Sequence, residues 1–141
     1  MTVWQPSITE VYGQSNIDGW QVVWGPGMQS GDTGSPVGST IGNGANAIPA
    51  PGGGFIAGYA DKTVQAVGLT GGESVAFEGS NDGVNFTDMS DAQGNPIAIT
   101  AAGPFIKQLE EACIQVRPHI TGGTGSVALT IVMFARKTQQ P

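Results

Sequence analysis

Residues 75–86 read Val75-Ala76-Phe77-Glu78-Gly79-Ser80-Asn81-Asp82-Gly83-Val84-Asn85-Phe86. A strand over 74–79 runs into Asn81-Asp82-Gly83, a triplet that permits positive φ in a tight hairpin. A second strand over 85–89 follows, with Phe86 expected to close the core beside Phe77. The three turn residues specify a fold rather than a reaction.

The same grammar extends in both directions. Further strands are expected over 55–59, 63–69, 96–100, 113–120 and 126–136. They are separated by Gly71-Gly72, Gln93-Gly94-Asn95 and Gly122-Gly123-Thr124-Gly125. Turn chemistry at intervals near ten residues predicts an all-β antiparallel sandwich, jelly-roll-like, or a barrel. The run from Val127 to Phe134 is almost wholly apolar, which predicts a central strand buried on both faces. Residues 104–116 carry two patterns. Phe105, Ile106, Leu109, Ala112, Cys113 and Val116 recur at helical spacing, while Ile114, Val116 and Ile120 alternate with Gln115, Arg117 and His119. Two strands joined near Glu110-Glu111 are preferred over a short helix. Val116 should then be buried and Arg117 should face out.

Toward the N-terminus, Trp20, Val22 and Trp24 share one face of a strand at period two. Residues 25–54 differ in kind, with ten glycines and a single charged residue, Asp32. Such a stretch is unusual inside a compact domain. It reads as a long Gly-rich arm ordered against a neighbouring subunit, with a mobile or ordered loop as the alternatives. The expected organisation is a strand plus arm over 1–54 and a sandwich core over 55–141.

Only 11% of the 141 residues are charged, against about 25% in an average soluble domain. A surface covered by small polar and apolar groups suits broad contact with other chains, because few charges must be desolvated. The net charge is −6 with only five Lys and Arg, too few for a phosphate-neutralising patch. Nucleic acid is therefore not an expected partner. No apolar run nears the roughly 20 residues of a membrane-spanning helix, so no membrane partner is expected. A lone cysteine and the absence of a signal-like start point to synthesis in a reducing cytoplasm.

The parts for chemistry are sparse. His119 is the one histidine and Cys113 the one cysteine, so neither a nucleophile–base pair nor a zinc site is expected. Glu73, Glu78, Asp82, Asp88 and Asp91 fall mostly in turns, where Asp serves local hydrogen bonds. Their spacing is not that of a calcium loop. Gly42-Asn43-Gly44-Ala45-Asn46-Ala47 matches a dinucleotide fingerprint without the strand and helix that give it meaning. No catalytic residue, cofactor or metal is expected. Candidate partner contacts are Trp4, Trp20, Trp24, Asp32, Pro49 and Pro51, since Trp is enriched where chains meet.

The order Gly79-Ser80-Asn81-Asp82-Gly83 plus an aromatic, then Asp91-Ala92-Gln93-Gly94-Asn95, Ile114-Gln115-Val116-Arg117-Pro118, Thr121-Gly122-Gly123 and a final apolar strand ends at Arg136. Over 74–137 it resembles small bacteriophage β-sandwich virion proteins, capsid decoration (cement) proteins among them. The resemblance implies a structural role at the capsid surface. Its partners would be the major capsid protein and copies of itself; a homotrimer would suit three-fold capsid sites. Tail-tube or head–tail connector roles belong to the same class. A similar hairpin occurs in discoidin-like sugar-binding sandwiches, which implies the alternative of a carbohydrate- or receptor-binding module using Trp20, Trp24 or Tyr59.

Overall fold

The computed structural model describes residues 2–12, 17–38, 61–111, 113–123 and 128–136. In chain order the strands are β1 (Val3–Trp4), β2 (Ser7–Tyr12), β3 (Ile17–Met28), β4 (Thr33–Gly34), β5 (Val37–Gly38), β6 (Asp61–Val67), β7 (Glu73–Ser80), β8 (Thr87–Asp88), β9 (Ile106–Leu109), β10 (Gln115–Gly122) and β11 (Leu129–Arg136). The first sheet has the order β1-β4-β10-β7-β8, with β5 also paired to β10. The second has the order β2-β3-β11-β6-β9. The fold is an all-β sandwich. Its pairings are antiparallel except β1 with β4, which is parallel.

The core lies between the inner faces. Trp20, Val22, Trp24 and Met28 of β3, Val64 and Ala66 of β6, and Leu129, Ile131, Met133 and Ala135 of β11 come from one side. Val75 and Phe77 of β7 and Val116 and Ile120 of β10 oppose them. Trp24 meets Phe77 edge to face, with ring centroids 5.9 Å apart, the geometry that the ring quadrupoles favour. In β6 burial alternates strictly, with Lys62, Val64 and Ala66 inside and Thr63, Gln65 and Val67 outside, as the period-two pleat requires.

Among the described residues of 104–116 there is no helix; β9 and the start of β10 lie there, joined through Glu110-Glu111 as preferred, and they are placed on different sheets. The Pro96–Thr100 stretch does not become a named strand. It contributes isolated bridges, Ser90 to Pro96 and Val75 to Ile99. The strand expected over 85–89 shortens to β8. The expected strand over 55–59 lies outside the described residues.

The arm expected over 25–54 is corrected for 25–38. These residues finish β3 and supply β4 and β5, which pair along β10. The division between 54 and 55 therefore does not separate the core, because β3 lies directly beside β11. Glycine serves close approach here, not freedom. A Cβ on Gly34 would stand 2.5 Å from the Trp24 indole, and one on Gly25 (φ +98°) would stand 2.5 Å from the Leu129 carbonyl. Residues 39–54, with Pro49 and Pro51, lie outside the described residues.

Phe86 also departs from expectation. It does not join Phe77 in the core; it lies on the outer face under the Arg117 guanidinium, 3.9 Å from the ring centroid. The short β8 leaves Phe86 in the loop before it, where a cation can cover the ring.

Candidate functional site

Among the expected contact residues, Trp20 and Trp24 are 5% and 0% exposed. They are core residues, because β3 is interior to its sheet, and they offer no face to a sugar or a partner. The Trp24 indole N–H is satisfied by the Ser35 carbonyl at 3.1 Å. The carbohydrate reading loses both of these tryptophans, and Tyr59 lies outside the described residues.

Trp4 and Asp32 come together. Asp32 is buried and accepts hydrogen bonds from Thr2 N at 2.9 Å, Trp4 Nε1 at 2.8 Å and Gln29 N at 2.9 Å. Burial opposes its charge, but these donors outweigh burial, so its pKa lies below the ordinary carboxylate value. The knot holds β1 against β4 and closes the turn that carries the chain from the second sheet to the first.

The Asn-Asp-Gly turn is built as its chemistry demands. Gly83 takes φ +77°. Asp82 accepts from the amides of Asn85 and Val84 and from Ser80 Oγ and Asn85 Nδ2. The Asn85 amide is foremost in holding its pKa well below the usual range. Asn81 Oδ1 accepts from Ile114 N at 3.0 Å, tying the hairpin to the lead-in of β10. With these oxygens spent on the loop, Asp82 is a structural cap.

On the outer face of the first sheet, Arg117 Nε donates to Glu78 Oε1 at 2.8 Å, and His119 Nδ1 stands 3.7 Å from Glu78 Oε2. Val116 is buried and Arg117 faces out, as its alternation predicts. A cleft of about 300 Å³ is lined by Asp91, Gln93, Pro104, Ile106, Lys107 and Gln108. Asp91 spends one oxygen on the amides of Gln93 and Asn95, and the other lies 3.8 Å from Lys107 Nζ. At the end of β6, Lys62 is fully buried, and burial holds its pKa below the ordinary lysine value. Among the described residues no three His, Cys, Asp or Glu side chains converge as metal ligands.

The outer face of the second sheet is of another kind. Cross-strand register places Ser7, Thr9 and Val11 of β2 beside Val23, Gln21 and Gly19 of β3. Val132 and Phe134 of β11 stand between Val23 and Gln21 on one side and Gln65 and Thr63 of β6 on the other. Thr130 is paired with Val67, and Ile106 and Gln108 of β9 complete the face. None of these side chains is charged. Among the described residues charge enters at one end, where Arg136 is paired with Asp61 and exposed Glu110 follows β9. Val67 and Ile106 are 50% and 56% exposed.

β11 is central, as its apolar run predicts, but burial on both faces is not found. Leu129, Ile131, Met133 and Ala135 are buried while Thr130, Val132 and Phe134 are half-buried, and no described element packs over them. The sequence reading did not single out this face. Its signal was available in the uncharged alternation of β6 and in the second apolar row of β11.

Comparison with protein-family models, with curated proteins and with solved structures returned no match. The assignment of a role therefore rests on this chain's own residues.

Proposed function

We propose that this protein is a structural component of a bacteriophage particle, of the capsid-decoration kind, that acts by burying surface against neighbouring chains. The observation that carries the reading is the outer face of the second sheet. It is broad and uncharged, it is built on five hydrogen-bonded strands, and its central strand has an apolar row that no described element of this chain covers. Association through such a face desolvates few charges. Each interface formed by folded subunits adds to the free energy needed to separate them. The segment-by-segment resemblance over 74–137 and the charge-poor composition support the same reading.

Purified particles test it. The chain should be found in them by mass spectrometry at a copy number comparable to the capsid subunits, with antibody labelling on the capsid surface. Absence from the particle would sink the proposal. Labelling confined to the tail would move the role to a tail component.

A further inference from the structure

We infer that the outer face of the second sheet is a self-association surface whose occupant is the same face of a second copy of this chain; the inference deepens the structural role proposed above and rests on that reading. A nearly continuous apolar strand is the mark of a sheet buried on both sides. Here β11 has one row in the core, and Val132 and Phe134 of the other row are half-buried in the single chain. A second sheet packed against the first would complete the burial.

Charge restricts how two copies can meet, and this face satisfies the restriction. Each chain carries a net charge of −6, so two copies repel wherever their carboxylates approach. Glu78, Asp82 and Asp88 lie on the first sheet or its hairpin, on the far side of the sandwich. Face-to-face sheets pack about 10 Å apart, so joining two molecules through their second sheets holds the first sheets, and these three carboxylates, roughly 30 Å apart. That exceeds the screening length of about 8 Å at physiological salt. This arrangement lets like-charged copies meet with the least repulsion. The same patch on both partners closes as a two-fold dimer.

The size is sufficient. Five strands about 4.8 Å apart and seven residues long cover roughly 24 by 23 Å, on the order of 550 Å² per copy. Two copies together then clear the roughly 1,000 Å² at which specific interfaces begin.

Sedimentation of the full chain from about 1 to 100 µM, the affinity range of a small interface, tests the inference. Wild type should reach twice its 14.4 kDa mass. Val132→Glu places a carboxylate at the centre of the face and should raise the dimer dissociation constant at least tenfold. Gln65→Glu, a near-isosteric change at the exposed position paired with Val132, should do so without disturbing the strand, with near-ultraviolet circular dichroism confirming the fold. Ser74→Glu, on the outer face of the first sheet, should leave the dimer unchanged. A wild-type monomer at every concentration, or a dimer that Val132→Glu and Gln65→Glu leave intact, would overturn it. A monomer still present in purified particles would overturn self-association while leaving the structural role standing.

Discussion

At the scale of single residues, Asp32 combines burial, charge and three donors from two separate parts of the chain. Charge-assisted hydrogen bonds contribute about 1.5–3 kcal/mol each, and shared networks are not additive. Asp32→Ala is expected to cost about 2–3 kcal/mol in urea denaturation and to red-shift Trp4 emission as β1 loosens. The pH dependence follows from the lowered pKa. A carboxylate whose folded pKa lies below its unfolded value contributes fully above the unfolded value. That contribution is lost as pH falls through the folded value. The stability gap between wild type and Asp32→Asn should therefore be constant above about pH 5 and close under stronger acid. A gap that widens on acidification would contradict this account of Asp32.

At the scale of elements, the 80–86 loop isolates what a turn requires. Gly83 sits at φ +77°, a conformation that a Cβ makes costly by about 1 kcal/mol. Gly83→Ala should show that loss in thermal or chemical unfolding. Asp82→Ala should speed hydrogen exchange at the Val84 and Asn85 amides, whose acceptor it removes, with little change at Val75 or Phe77. Equal acceleration throughout β7 would mean that the loop and the strand open together. The loop was legible because Asn, Asp and Gly have local conformational and hydrogen-bonding preferences that hold in any fold. The placement of Phe86 was not legible, since an aromatic after a turn reads the same whether it turns inward or lies beneath Arg117.

At the scale of the whole molecule, charge is divided between the two outer surfaces. The first sheet carries Glu78, Arg117, His119 and Asp88, and among the described residues the second is uncharged except at the border formed by Asp61, Arg136 and Glu110. An interface with this character should respond to salt in a particular direction. Raising salt from about 0.05 to 0.5 M shortens the screening length several-fold and weakens repulsion between the two acidic copies. Dimer affinity should rise modestly over that range when followed by sedimentation. A fall would indicate that the Asp61 and Arg136 border, not the uncharged face, carries the contact.

The sequence by itself determined the all-β class, the central position of β11, the Asn-Asp-Gly hairpin and the outward direction of Arg117. Each of these follows from period-two alternation or from turn chemistry, which act over a few residues. The tertiary structure alone decided that residues 25–38 belong to the core, that Trp20 and Trp24 are interior, and that Asp32 ties β1 to β4. Those outcomes depend on which strands meet across the sandwich, and glycine content cannot distinguish a mobile arm from a strand that needs close approach. The uncharged face was written in the chain as scattered threonines, glutamines and valines. It became a surface only when register set β2, β3, β11, β6 and β9 side by side.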